Sequence, residues 1–166
     1  MRKLVLYLLR KIFTFIALRK IGTYKSKPFI GFYSRFNSNT HLGYNCNFNG
    51  LVIRGNGKVV IGDNFHSGKN CLIINTYHKY DFGDAIPYDS KISIDKDVII
   101  EDNVWIGDRV LILGGAIIGE GAIIQAGSVV VDKIPKFAIA GGNPAKVFKY
   151  RNIESYEKLK NDNKFV

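Results

Sequence analysis

The sequence predicts an all-β protein built as a parallel β-helix, and three observations carry that expectation. An aliphatic residue recurs at every sixth position through Ile94, Ile100, Ile106, Ile112, Ile118, Ile124 and Val130, a period that belongs neither to a helix nor to a simple alternating strand. Two residues before the later members stands a second small or branched residue, in Val98, Val104, Val110, Ala116, Ala122 and Ser128, with Ile134 closing the series. Gly, Asp and Asn fill the intervals, as in Ile106-Gly107-Asp108 and Ile118-Gly119-Glu120-Gly121. Each six-residue unit is then a short strand and a corner. Three units make a triangular coil of about 18 residues, and coils stacked at roughly 4.8 Å bury one aliphatic column.

At 166 residues, 46% of them hydrophobic, the chain suits one domain with a real core. Residues 1–24 read as a basic, apolar N-terminal helix. Its apolar runs, Leu4 to Leu9 and Ile12 to Leu18, are interrupted by Arg10 and Lys11. Neither approaches the roughly 20 residues needed to span a bilayer, and no small-residue cleavage site follows. Two readings stand together: an interfacial helix on the anionic inner leaflet of the membrane, and a helix that covers the first coil or a neighbouring subunit.

The β-helix is expected over 25–151. Lys25 to Asn39 reads as the approach to it, and the repeat starts weakly at Leu42 and Phe48. Register is lost at Arg54-Gly55-Asn56-Gly57, a hairpin-like excursion, and resumes at Ile61, Ser67 and Ile73. A longer interruption, rich in aromatic and turn residues, predicts an ejected loop at about 78–93. Loops leaving a rigid scaffold are where binding groups concentrate. Asn152 to Lys160 predicts a short helix within a C-terminal segment, 152–166.

The formal net charge of +10 is uneven. Residues 1–20 hold six Lys or Arg and no acid, 21–132 hold ten basic and eleven acidic residues, and 133–166 hold eight and three. Basicity confined to the ends argues against a nucleic-acid surface. Cys46 and Cys71 occupy small inward positions of their hexads, which suits buried reduced thiols and a cytoplasmic location. Of the three histidines, His66 and His78 are twelve residues apart and belong to different faces. His41 and His78 would share a face about two coils apart, on the order of 10 Å, too far for one metal at about 2 Å. No metal is expected. His78, at the mouth of the loop, can move a proton there, although a lone histidine beside a loop is more often structural or merely exposed.

The repeat, together with Ile61-Gly62-Asp63-Asn64 before His78, Trp105-Ile106-Gly107 after it and Ala140-Gly141-Gly142-Asn143-Pro144-Ala145-Lys146 near the end, resembles the hexapeptide-repeat acyltransferases, most of all the galactoside and maltose acetyltransferases. The resemblance runs from about Leu42 to Arg151. It implies a left-handed coil, a homotrimer and acetyl-CoA as cosubstrate, with coenzyme A lying between adjacent subunits. It implies His78 as general base and Asn47 as an acceptor contact. Trp105 would lie near the thioester, and the Asp108 backbone amide at the oxyanion. Ala126 and Val131 would line the pantetheine groove, and Lys146 and Lys149 would meet the nucleotide phosphates. Asp81, Asp84 and Glu101 are candidates for orienting His78.

The implied reaction is direct acetyl transfer to a sugar hydroxyl, with a surface-polysaccharide building block, such as a lipid-linked or nucleotide-linked sugar, as acceptor. N-acetylation of an amino sugar and a noncatalytic β-helix scaffold are the alternatives. The chain departs from the sugar enzymes in having no acid at Arg54-Gly55-Asn56-Gly57, in the order Asp132-Lys133, and in its N-terminal helix, which puts the acceptor half in question.

Overall fold

The computed structural model describes the backbone of residues 2–166 and the side chains of residues 4–166; Met1, at the start of the expected N-terminal helix, lies outside the described residues. The chain forms the expected parallel β-helix, flanked by helix α1 (Arg2–Leu18) and helix α2 (Ile153–Asn161). Its strands stack in three columns. The first face runs through Thr23–Tyr24, Thr40–Leu42, Val59–Ile61, Val98–Ile100 and Ile117–Ile118. The second runs through Phe29–Ile30, the start of Asn47–Arg54, the start of His66–Ile74, Trp105–Ile106, Ile123–Ile124 and Ala138–Gly142, with Ala145–Tyr150 added antiparallel at the end. The third uses the far halves of Asn47–Arg54 and His66–Ile74, then Leu111–Leu113 and Val129–Val130.

The sixfold residues Ile100, Ile106, Ile112, Ile118, Ile124 and Val130 are all buried, as are their partners Val98, Val104, Val110, Ala116, Ala122, Ser128 and Ile134. Ile94 departs from the expectation. It is only half-buried and pairs with Tyr77 in a hairpin outside the core, because the chain rejoins the coil only where Lys96 N donates to Asn75 O at 2.9 Å. The early core is aromatic rather than aliphatic: Phe48 packs between Phe36 (4.9 Å between ring centroids) and Phe65 (5.4 Å). Large rings occupy a position that the later coils fill with isoleucine, so the sixfold pattern is faint there.

Two further expectations are corrected. Lys25 to Asn39 is not an approach but most of a full coil, since Phe29 and Ile30 pair with Asn47 and Phe48, and Arg35 bridges to Val52. The Arg54 to Gly57 stretch is a bend at a corner rather than a hairpin. The strands on either side belong to different sheets, and the bend is held by Asn37 Nδ2 donating to Gly55 O (2.8 Å) and Gly57 O (3.1 Å).

The corners explain the recurring Asp and Asn. A strand solenoid leaves corner amides without ladder partners, and unpaired polar backbone is costly. Asp63, Asp97, Asp102 and Asp108 each accept with Oδ1 from an amide of the preceding coil, on Tyr44, Lys58, Asp63 and Lys69 respectively, at 2.7–3.1 Å. Asn45, Asn64 and Asn103 share a left-handed backbone (φ 51°, 54° and 58°), which asparagine tolerates better than most residues, and link side chain to side chain up one edge. Asp108→Ala is therefore expected to lower stability by about 1 kcal/mol in urea unfolding.

Helix α2 starts where Asn152 Oδ1 accepts from Ser155 N at 2.8 Å, the usual asparagine N-cap. Tyr156 packs edge-on against Phe137 at 4.9 Å and donates to Glu120, which also binds Lys160 and, at 3.5 Å, Lys136. Burial pushes the Tyr156 hydroxyl up to about 12. Burial opposes ionisation of Glu120, yet hydrogen bonds from Lys160 and Tyr156 and the charges of Lys160 and Lys136 outweigh it and hold the carboxyl below its usual range. A raised folded pKa gives stability that is full below pH 10 and is lost as pH climbs toward 12. A depressed one gives stability that is present above about 4.5 and is lost as pH falls further. Docking of α2, followed by amide exchange, is expected to weaken at both extremes.

Candidate active site

The ejected segment is a two-stranded ribbon, not an irregular loop. Thr76–Lys79 and Asp89–Asp95 pair antiparallel, with His78 opposite Ser93. The ring of His78 stacks on Tyr88, 4.5 Å between centroids and 9° from parallel. Tyr77 lies against Tyr80 at 6.3 Å. The turn is organised by Asp89, whose carboxylate accepts from the backbone amides of Asp84 (3.1 Å) and Lys91 (2.9 Å), bonds that lower its pKa. His78 is exposed, held by aromatic stacking in a fixed orientation and open to a reactant. Since the ribbon leaves the solenoid between the third and first faces, His78 does not share a face with His41. His41 sits in a first-face strand, 2.8 Å from Thr23 Oγ1.

The second face presents an outward column of residues paired in register along successive strands. Asn47 pairs with His66, His66 with Trp105, Trp105 with Ile123, Ile123 with Ile139 and Ile139 with Lys149. Between this column and α2 lies a cavity of about 610 Å³, lined by His66, Trp105, Ile139, Lys149, Arg151 and Tyr156 among others. One wall is aromatic and aliphatic, and Lys149, Arg151, Lys160 and Lys164 supply cations. That combination suits a ligand with an apolar arm and an anionic end.

Of the residues singled out from the sequence, Trp105 and Lys149 share this cavity. Asn47 stands on the same face one strand away, its Nδ2 3.3 Å from His66 Nε2. Asp108 and Ala126 occupy corners of successive coils, where a Cβ on Gly107 would lie 2.6 Å from the Ala126 amide. Val131 is exposed just beyond Val129–Val130, and Lys146 pairs with Gly141 near the turn of the terminal hairpin. His78 is not among the residues lining the cavity. Glu101 is committed to another corner, accepting from Glu120 N at 2.9 Å and lying 3.6 Å from Lys136. His66 and Arg151 were missed by the sequence reading. The signal for His66 is its register: it is the first residue of its strand, stacked directly beneath Trp105.

Burial pushes the Cys46 thiol up to about 11 and raises that of Cys71, so neither is poised as a nucleophile. Among the described residues there is no cluster of three or more His, Cys, Asp or Glu side chains that could hold a metal ion.

Residues 97–132 match the family model described as bacterial transferase hexapeptide (six repeats). A maltose O-acetyltransferase from Clostridium difficile 630 is 32% identical, with a TM-score of 0.57, over 87% of this chain and 73% of its own. The chain belongs to the hexapeptide-repeat acyltransferases. A galactoside acetyltransferase solved in complex with coenzyme A is 27% identical, TM-score 0.61, over 85% of this chain; this chain spans 65% of that enzyme's length. A hexapeptide-repeat acetyltransferase of Vibrio cholerae O1 biovar eltor, complexed with acetyl coenzyme A, is 26% identical, TM-score 0.63, over 87% and 74% of the two chains. No curated protein matches the chain at a significant level. On the solenoid side the cavity wall is built from His66, Trp105, Ile139 and Lys149, each held in a strand, and the other side is closed by α2 and the C-terminal segment.

Proposed function

We propose that the protein transfers an acetyl group from acetyl-CoA to a hydroxyl of a sugar used in a bacterial surface polysaccharide. The observation that carries this reading is the second-face cavity, in which Trp105 and four cations line one space, in a chain related to acetyltransferases solved with coenzyme A and acetyl coenzyme A. Trp105 fits the thioester end, and Lys149, with Lys146 nearby on the same strand, fits the phosphates; Ala126 and Val131, outside this cavity, are the proposed pantetheine contacts. The identity to a maltose O-acetyltransferase favours a hydroxyl over an amine.

In the reaction His78 takes the proton of the acceptor hydroxyl as its oxygen attacks the thioester carbonyl. The tetrahedral oxyanion is held by backbone amides, with that of Asp108 as the candidate. Collapse expels the CoA thiolate, which receives the proton from His78, and the acetyl ester leaves with the acceptor. Asn47 is the proposed acceptor contact.

His78 lies on the ribbon and does not line the cavity that holds Trp105, which fits base and cosubstrate meeting between subunits of a homotrimer. Phe82 and Ile86 at the ribbon tip are 97% and 96% exposed, as expected of groups that meet a neighbour. The test is release of free CoA thiol from acetyl-CoA with neutral sugars, amino sugars and their nucleotide-linked forms. Turnover with a neutral sugar supports the proposal. Turnover only with amino sugars transfers it to N-acetylation, and silence together with no acetyl-CoA binding by calorimetry removes it.

A further inference from the structure

Helix α1 carries its apolar residues on the wrong side for a helix packed on a water-soluble body. At 3.6 residues per turn, Leu4, Leu8, Ile12 and Phe15 fall on one side, with Val5, Leu9 and Ile16 beside them. The side that meets the β-helix is the opposite one: Ala17 is buried, Phe13 packs edge-on against Tyr33 at 6.3 Å, and Arg10 lies over the Phe29 ring at 5.2 Å. The outward arc is left in water, with Leu4 and Phe15 each 62% exposed and Ile12 53%. A surface helix normally shows the reverse, polar outside and apolar toward the core.

Charge separates the candidate occupants of this arc. Residues 1–20 contain six Lys or Arg and no acid, whereas residues 21–132 are nearly balanced. A second copy of the helix would bring the same cations against each other. An anionic bilayer surface complements them, and the apolar arc then enters the boundary between headgroups and acyl chains. Among the described residues no helix is long and apolar enough to cross a membrane, so the helix would lie in the surface rather than through it.

We infer that α1 docks the protein on an anionic lipid surface, with Leu4, Leu8, Ile12 and Phe15 inserted and Lys11, Arg19 and Lys20 on the headgroups. Phe13 and Ala17 tie the helix to the first coil, so the whole β-helix is held close to the bilayer. This does not depend on acetyl transfer, and its test needs no turnover.

The test is flotation of the full chain with phosphatidylcholine vesicles, with and without phosphatidylglycerol. Binding is expected to be on the order of tenfold or more tighter with phosphatidylglycerol and to weaken as salt is raised. The triple substitution Leu8→Glu, Ile12→Glu, Phe15→Glu changes only exposed positions. It should abolish flotation while keeping the oligomeric mass and the melting transition of the parent. The inference is overturned if the parent stays unbound with phosphatidylglycerol vesicles or if the triple variant floats equally well. It is also overturned if the triple variant changes the oligomeric mass in solution, since the arc would then be covered by another copy.

Discussion

Replacing His78 by Ala is expected to lower acetyl-transfer turnover by about 10²–10⁴-fold, the range for loss of a positioned general base, while acetyl-CoA binding stays within about twofold of the parent. The expectation follows from position: His78 is exposed on the ribbon, stacked on Tyr88, and absent from the cavity wall that contains Trp105 and Lys149. Its loss should act on the chemical step rather than on the cosubstrate. Because the ring also stacks on Tyr88, His78→Gln is the needed companion; its planar amide can still lie on Tyr88 but cannot carry the proton. Equal loss in both variants, with unchanged melting, assigns the effect to proton transfer. Retained turnover in either would falsify the base assignment.

The largest stability effect is expected in the aliphatic column. Ile112 is fully buried, and its strand lies between Ile73 on one side and Val130 on the other. Ile112→Ala should cost about 2–5 kcal/mol, combining lost burial with the cavity left behind. That is a large part of the roughly 5–15 kcal/mol that holds a typical domain folded. A solenoid coil contacts only its neighbours, so the loss cannot be spread over a wide core and should appear as a lower urea midpoint. Ile94→Ala is the informative control. Ile94 continues the sixfold series in sequence but is half-buried on the ribbon, and its loss should cost well under half as much. Equal costs would mean that Ile94 belongs to the column after all.

These two positions show where sequence and structure part. From Val98 to Val130 the chain keeps a six-residue period, and every strand there lands in the face that the count assigns; the last coil is two residues shorter, with Ile134 beside Ile118 and Ala140 beside Ile124. Before that, Phe36 and Phe48 replace isoleucine inside the coil and Phe65 stands where later coils have Val104 and Ala122, and the Asn47 to Asn49 register shift lengthens one coil. Periodicity therefore understated how early the β-helix begins. The ribbon was legible as an interruption but not as paired strands, because Tyr77 and His78 carry no sixfold signal, Ile94 carries one although it lies outside the column, and their pairing depends on how the neck closes. Site residues divide in the same way. Trp105 and Lys149 were found through motif resemblance, and the register places them in one column. His66 and Arg151 were missed, since each becomes a neighbour of Trp105 only through stacking of distant coils or docking of the segment that leads into α2.

The sequence by itself determined the repeat, its three-sided coil, the buried column from Val98 to Ile134 and the uneven distribution of charge. These follow from local chemistry, because a six-residue unit has one way to bury its aliphatic residue and few residues that suit its corner. Only the tertiary structure decided which outward residues face each other, that the segment at His78 is a stacked ribbon, and that helix α1 turns its apolar arc to solvent. Those features depend on which coil lies above which and on which side of an element the body covers, quantities set by packing over tens of residues and carried by no local pattern.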